Sequence, residues 1–293
     1  MRLAPARPAL VRALATATLV CAISSAAAQC VLDIPNQVQL GSYDPGALLQ
    51  NPIGWSFRVS TQTGCAGRIQ LDALDATGRL LLQGPDTAGF TVLMAQDASG
   101  STPVNAAPLD AAAVQIAAGQ QVTVSMWAVR PAGQWRVPGP YRGAVRVSLL
   151  DNAGLVLTRR DLAFLTAVSP TVQLHWEGVA SGSGSPTARL DFGELVQGAT
   201  RSASLVVQAN SSHTIALEST QRGQLVNAKF PLAGLSYSLR LNGRALALGP
   251  NTSDVRMATP GKVRHEIEVR IGPIERVLAG EYLDSLLVTV AAQ

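Results

Sequence analysis

The sequence predicts an all-β protein made of β-sandwich domains. Apolar and polar residues alternate with a period of two in "WSFRVS" (55–60), "AVRVSLL" (144–150), "ASLVVQA" (203–209), "SYSLRL" (236–241) and "RHEIEVRI" (264–271). Turn sequences such as "DNAG" and "LNGR" separate these segments. Strands with one buried face show this alternation, and many short strands between turns are typical of sandwiches.

The first 28 residues are predicted to be a secretory signal peptide. Three arginines precede the apolar run "ALATATLVCAI" (13–23), and Ala26 and Ala28 occupy the small-residue cleavage positions. The run is too short to span a bilayer. A lipid anchor at Cys30 is the alternative, which Gln29 disfavours because a small residue is expected there. Loss of the three arginines reduces the formal net charge from +4 to +1, so the high pI is no argument for nucleic-acid or membrane binding.

Cys30 and Cys65 remain after removal of the signal, which contains Cys21. An even pair of cysteines in an exported chain predicts a disulfide. On the chain-entropy model it would stabilise the fold by roughly 3–4 kcal/mol. A metal site is disfavoured because no histidine lies near the two cysteines in sequence.

Two domains are predicted, at 29–169 and 170–293. "PGPYRGAVRVSLL" (138–150) and "AGEYLDSLLVTVA" (279–291) share Gly-x-Tyr before a strand, which indicates a weak internal repeat. We interpret the Gly/Ser stretch at 178–187 as a loop of the second domain, with a linker as the alternative. The Ala-rich segment 107–120 is interpreted as loop and strand, with a short helix as the alternative.

No motif in the sequence supports an enzyme or a cofactor. His175, His213 and His265 are scattered, with no carboxylate or cysteine at ligand spacing, so we interpret each as a surface or strand-face residue. No nucleophile elbow, phosphate loop or zinc pattern occurs. The sequence therefore predicts no catalytic residues, no metal, no cofactor and no nucleic-acid partner.

Four segments of the second domain resemble the spore coat protein U family, which includes subunits of archaic chaperone–usher fimbriae. They are "LDFGEL" (190–195), "SASLVVQAN" (202–210), "LSYSLRLNG" (235–243) and "AGEYLDSLLVTV" (279–290). The first domain is similar only loosely, through its early cysteine, "VQLGSY" and "GPYRGAVRVSL". The second domain departs from the family pattern in having no cysteine pair.

The resemblance implies an immunoglobulin-like second domain that lacks its last strand. In this family a neighbouring subunit supplies that strand, and a periplasmic chaperone lends one before assembly; backbone groups pair along the open edge. The residues expected to line the groove are Phe192, Tyr237, Tyr282, Leu286, Val288 and Val290.

The resemblance also suggests a position at the fibre tip. A subunit that donates a strand needs an N-terminal extension, and Cys30, if bridged to Cys65, leaves none. Tip subunits of the family carry an extra N-terminal adhesive domain. The alternative makes "VLDIPNQVQL" (31–40) the donor strand itself, which Pro35 and the early cysteine disfavour.

Surface attachment is expected at apolar Gly/Pro-rich loops of the first domain. The candidate loops are 46–55, 84–96 and 130–139, and their candidate residues are Leu48, Leu49, Ile53, Trp55, Phe90, Trp135 and Val137. Aromatic residues on such loops are plausible anchors for hydrophobic surfaces. The alternative for Trp55 and Trp135 is a place in the core or at a strand edge.

The leading hypothesis is a tip adhesin of a chaperone–usher fimbria that serves in attachment and biofilm formation. Its expected partners are a periplasmic chaperone, an outer-membrane usher, the adjacent fimbrial subunit and an abiotic or host surface. Its expected route runs through the periplasm to the cell surface. The alternatives are a periplasmic assembly chaperone and a soluble secreted lectin-like binding protein with complete domains.

Overall fold

A computed structural model describes residues 30–104, 113–177, 187–248, 253–257, 261–275 and 277–293, with the backbone alone at 113–114 and 253–257. The signal peptide at 1–28, the start of the helix candidate and nearly all of the Gly/Ser stretch therefore lie outside the described residues. The described residues contain strands and turns only, so no helix among them could cross a membrane.

The strands before Ser169 form two five-stranded sheets. They are β1 (Cys30–Asp33), β2 (Gln37–Tyr43), β3 (Ile53–Thr61), β4 (Cys65–Asp72), β5 (Arg79–Leu82), β6 (Phe90–Ala95), β7 (Ala113–Ile116), β8 (Gln121–Val129), β9 (Gly139–Leu150) and β10 (Val156–Val168). One sheet has the order β1-β3-β8-β6-β5 and the other β2-β10-β9-β4-β7. The described part of the 107–120 segment thus contains a strand and no helix.

Alternation along the strands builds the core between these two sheets. In β3, Trp55, Phe57 and Val59 face inward and are buried, while the residues between them are exposed or half-buried. The Cys30–Cys65 disulfide links β1 in one sheet to β4 in the other, with the two Cα atoms 6.0 Å apart. The predicted disulfide is confirmed, and it closes the sandwich at one end.

The strands after Ser169 form a second pair of sheets. They are β11 (Val172–Glu177), β12 (Thr200–Ala209), β13 (His213–Ser219), β14 (Gln224–Asn227), β15 (Gly234–Leu241), β16 (Arg244–Leu246), β17 (Ser253–Met257), β18 (Gly261–Ile271), β19 (Tyr282–Leu283) and β20 (Leu286–Ala292). The larger sheet has the order β11-β12-β18-β15-β14-β19, with β16 paired to β15, and the smaller has the order β17-β13-β20.

The second core lies between these sheets, where alternation again selects the inward residues. Leu205 and Val207 of β12 and Ile267 and Val269 of β18 are buried, while their charged and polar neighbours face outward. The prediction of an all-β fold with sandwich domains is confirmed. The part of the chain that the structure describes has two separate clusters of buried apolar residues, one on each side of Ser169.

The direction of the strands defines three reference points along the molecule. We call the end of the first domain where β2 and β10 finish, at Tyr43 and Val168, the junction, because the second domain begins there. The opposite end, at the turn between β9 and β10, is the apex. In the second domain, β12 ends at the junction and β18 begins there, so the far end of β18, at Ile271, marks the base.

Candidate functional site: the open edge of strand β20

Strand β20 lies at the edge of its sheet. It pairs antiparallel with β13, from Ser219 opposite Leu286 to His213 opposite Ala292. On its other side no strand of the described residues pairs with it, although β11 comes close. An edge strand presents a row of backbone N–H and C=O groups that another strand can use.

The side chains of β20 show that the core beneath this edge is not fully covered. Leu286, Val288 and Val290 point toward the core but are only half-buried, whereas Ile215 and Leu217 on neighbouring β13 are buried. The second core has as many half-buried as buried members among the described residues, whereas the first core is almost entirely buried. A strip of apolar core surface is therefore accessible along β20.

The other wall of this groove comes from β11 and the segment that follows it. Val172 and Trp176 on β11 pack against the second core and are half-buried, as are Leu190 and Phe192. The edge strands β11 and β20 belong to different sheets. An added strand beside β20 would thus cover core residues of both sheets at once.

Asp284 fixes the start of β20. Its carboxylate accepts hydrogen bonds from Ser219 Oγ at 2.6 Å and from Tyr237 OH at 2.5 Å, and from the backbone N–H groups of Gln221 and Ser285. Burial, together with the bond to Asp284, raises the pKa of the Tyr237 hydroxyl. These bonds hold the edge strand in place while its outer side stays open.

No protein-family model and no curated protein matches this chain. Among solved structures, it is similar to a chain of the CsuC–CsuE chaperone–tip adhesion subunit pre-assembly complex from the archaic chaperone–usher Csu pili of Acinetobacter baumannii. The TM-score is 0.51 at 13% identity, over 89% of this chain and 99% of that chain.

The chain therefore shares the overall β-sandwich fold of that chain. Two more distant matches are CfaE, the adhesive subunit of CFA/I fimbria of enterotoxigenic Escherichia coli, and the CupB6 tip adhesin of Pseudomonas aeruginosa. CfaE matches with TM-score 0.39 and 10% identity, over 87% of this chain and 91% of that chain. CupB6 matches with TM-score 0.33 and 11% identity, over 89% of this chain and 93% of that chain.

Three of the predicted groove residues, Leu286, Val288 and Val290, lie on β20 and are half-buried at its open edge. Phe192 is also half-buried and packs against the second core. Tyr237 does not line it, because its ring is buried on β15 beneath Asp284. Tyr282 lies on β19, paired with β14, and its hydroxyl donates to the carbonyl of Leu278.

Two of the predicted surface-binding residues are core residues, so those predictions are wrong. Trp55 packs edge-on against Phe164, with ring centroids 5.5 Å apart. Phe90 is fully buried, and its ring centroid lies 4.7 Å from that of Tyr43. Phe90 begins β6 and Trp55 is the third residue of β3, and both take inward strand positions, which the nearby Gly and Pro residues concealed in the sequence.

The other candidates lie at the junction, on loops except for Ile53, which begins β3. Leu48 and Leu49 are almost fully exposed, while Ile53 and Trp135 are half-buried and Val137 is partly exposed. Trp135 and Val137 line a cavity of about 240 Å³ together with residues of the second domain, including Asn210 and Gly261. The three loops therefore point toward the second domain and not away from it.

Asn210 is the centre of the contact between the domains. It is buried, and its side-chain N–H groups donate to the carbonyls of Ser169 at 2.9 Å and Arg136 at 3.0 Å. Its side-chain oxygen accepts from the backbone N–H of Thr171 at 2.8 Å. Gln173 of β11 donates to the Gly46 carbonyl at 2.8 Å, so the loop that follows β2 lies next to β11.

Two features were missed by the sequence analysis. His213 and His265 are strand-face residues, one of the two interpretations given above, but they lie on inward faces: both are buried in the second domain, with ring centroids 5.8 Å apart. The alternation of "RHEIEVRI" places His265 on the same inward face of the strand as Ile267. The second feature is an exposed run at the apex, Leu155, Val156 and Leu157, of which Leu155 is 68% exposed. Its signal was three successive apolar residues after a turn.

The described residues hold no group of three or more His, Cys, Asp or Glu side chains that could bind a metal ion. His175 is exposed, and its Nε2 lies 3.4 Å from the carboxylate of Glu177.

Proposed function

We propose that this chain is the tip adhesin of a chaperone–usher fimbria, with a binding role and no enzymatic one. The observation that carries the proposal is the open edge of β20, where Leu286, Val288 and Val290 are half-buried above the second core. A strand from a neighbouring subunit would pair with this edge, and its alternate side chains would fill the strip between β20 and β11.

The energy of this pairing is large enough to hold a fibre together. Each fully buried Val, Leu or Ile side chain contributes about 1.5–3 kcal/mol. Three such side chains on the incoming strand would contribute roughly 5–9 kcal/mol before the ordering of the strand is subtracted. Backbone hydrogen bonds add to this, so the complex should dissociate slowly.

A fused strand tests this proposal. Gln293 lies beside the junction, where its backbone N–H donates to the Ser212 carbonyl. A short Asn-Gly turn after Gln293, followed by eight residues of alternating Val and Thr, can fold back antiparallel along β20. With valines facing the core, we expect the full chain to become more soluble and the second domain to unfold at higher temperature.

The matched control shifts the same strand by one residue, so that the valines face solvent and the threonines face the core. Composition and length stay the same, so only correctly phased pairing separates the two fusions. Calorimetry should show stabilisation for the first fusion alone. Equal unfolding temperatures for both fusions and the unfused chain would contradict a missing strand.

The proposed partners follow from this site. The similar complex from A. baumannii joins a chaperone to a tip adhesion subunit before assembly. By analogy, we propose that a periplasmic chaperone occupies the β20 edge first, that an outer-membrane usher exports the chain, and that the adjacent subunit then replaces the chaperone strand. The protein would reach the cell surface at the fibre tip.

Surface attachment is proposed at the apex. With the second domain attached to the fibre, the apex is the part of the first domain that points outward. Leu155, Val156 and Leu157 are exposed there at the start of β10, after a turn in which Asp151 accepts hydrogen bonds from the backbone N–H groups of Ala153 and Leu155. Exposed apolar runs of this kind mark contact sites.

We expect Leu155→Ser/Leu157→Ser to reduce the attachment of fimbriated cells to a polystyrene surface by about tenfold, the effect of losing more than 1 kcal/mol per contact. The matched control is Leu48→Ser/Leu49→Ser, which removes two exposed leucines at the junction. Fibre assembly should be normal in both. Normal attachment of the apex variant, with loss in the control, would place attachment on the loop after β2.

A further inference from the structure

The base of the second domain carries a group of exposed apolar side chains. Leu232 is fully exposed, at 104% of its reference area, and Phe230 and Leu278 are each about half exposed, at 54% and 50%. Together with Pro231 and Ala233 they surround an open cleft of about 440 Å³. We call Phe230, Leu232 and Leu278 the base patch.

The backbone that presents the base patch is held firmly. The buried Asn227 side-chain oxygen accepts hydrogen bonds from the N–H groups of Lys229 at 2.9 Å and Phe230 at 3.1 Å. Asn227 N–H bonds to the Ala233 carbonyl, and Ala233 N–H bonds to the Phe230 carbonyl. Apolar side chains on so ordered a turn stay in water, where they are unfavourable, unless a partner covers them.

The base patch lies next to the start of the open edge. Phe230 and Leu232 lie in the loop that joins β14 to β15. Next to this loop Val226 pairs with Gly234, which lies beyond the Tyr237–Ile271 pair and therefore at the base. Leu283 pairs with Val226, three residues before Leu286 begins β20. The groove along β20 therefore opens toward the base patch at one end.

The first domain occupies the other end of the groove. There, Thr171 Oγ1 donates to Asp44 at 3.1 Å and Gln173 donates to the Gly46 carbonyl, where β11 begins. A partner that lays a strand along β20 must keep its folded part outside the groove. Because the first domain already lies beside the junction end, a second folded domain has more room at the base.

We propose that the base patch is the docking surface for the folded domain of the adjacent subunit whose strand occupies the groove. This rests on the proposed function. The complementary surface on that subunit would offer an apolar side chain to the cleft between Phe230, Leu232 and Leu278. Strand insertion and domain docking would then act together, and the second contact would slow dissociation.

The test compares two probes: the fimbrial subunit that co-purifies with this chain, and a synthetic peptide of that subunit's N-terminal strand. We expect Leu232→Ser, and separately Phe230→Ser, to raise the dissociation rate of the whole subunit from the full chain by at least about tenfold. Dissociation of the peptide should stay unchanged, because it contacts only the groove. Leu48→Ser/Leu49→Ser, at the junction, should change neither rate.

The outcomes separate the two proposals. A whole subunit that leaves the Leu232→Ser and Phe230→Ser variants at the wild-type rate, with normal peptide binding, overturns the base patch and leaves the groove intact. If the peptide does not bind to the wild-type chain, the result contradicts both the proposed function and the proposed docking surface. Loss of chaperone binding in the patch variants, with normal subunit dissociation, would assign the patch to the chaperone and also overturn the proposal.

Discussion

His213 and His265 lie together at the centre of the second domain, one from each sheet. His213 begins β13, beside the last residues of β20, and His265 lies in β18. His265 Nδ1 is 3.0 Å from the side-chain nitrogen of Asn242. Burial lowers the pKa of both rings, and repulsion from His213 lowers that of His265 further. The fold therefore favours two neutral imidazoles.

This pair should make the second domain sensitive to acid. The ordinary histidine pKa is 6.5, and both folded values lie below it, so the unfolded chain binds more protons in acid. Stability is full above pH 6.5 and declines as the pH falls through and below that value. Each unit by which a pKa is lowered corresponds to about 1.4 kcal/mol lost once the pH is below the folded value.

We expect His213→Leu to flatten this dependence, because one of the two protonation sites is removed. Calorimetric unfolding temperatures of the full chain at pH 7.5, 6.5 and 5.5 would give the change in unfolding temperature with pH for each variant. Because a packing change shifts all three temperatures of a variant alike, it does not alter this slope. His175→Leu, which removes an exposed histidine, is the control and should keep the wild-type slope. Three identical slopes would contradict the role of the buried pair.

Strand periodicity explains how much of the fold could be predicted from the sequence. The alternating segments at 55–60, 144–150, 203–209, 236–241 and 264–271 all lie in strands, because a strand with one buried face must alternate. The same rule predicts Leu286, Val288 and Val290 as inward residues of β20. Whether an inward side chain is covered depends on the strand beside it, which the alternation of β20 does not encode.

Loops were predicted less well, since their neighbours come from distant parts of the chain. The segments 46–55 and 130–139 have the composition of exposed apolar loops, but hydrogen bonds made by Arg130 and Tyr43 hold this region at the junction. Arg130 donates to the Ser42 carbonyl at 2.9 Å, and Tyr43 donates to the Pro131 carbonyl at 2.7 Å. The residues that form these contacts are far apart in sequence, so composition alone could not reveal them.

In the whole molecule, the two sandwiches meet through a small set of directed hydrogen bonds. Asn210 serves three of them, and it joins the turn after β12 to the chain that links the domains and to the loop at Arg136. The cavity beside it, lined by Trp135 and Val137, leaves part of the contact unfilled. The orientation of the first domain relative to the second therefore depends strongly on the Asn210 side chain.

Asn210→Ala should loosen the domains without opening either core. It leaves the Thr171 N–H and the Ser169 and Arg136 carbonyls without their side-chain partner, and unpaired buried groups cost about 1–3 kcal/mol each. Since water can reach these groups once the domains separate, the change favours separated domains over unfolded ones. We expect faster proteolysis in the residues around Ser169 and a larger radius of gyration by small-angle scattering. Asn152→Ala, on an exposed apical turn, is the control. Proteolysis and scattering indistinguishable from wild type would mean that the surrounding contacts, such as Gln173 to Gly46, hold the junction without Asn210.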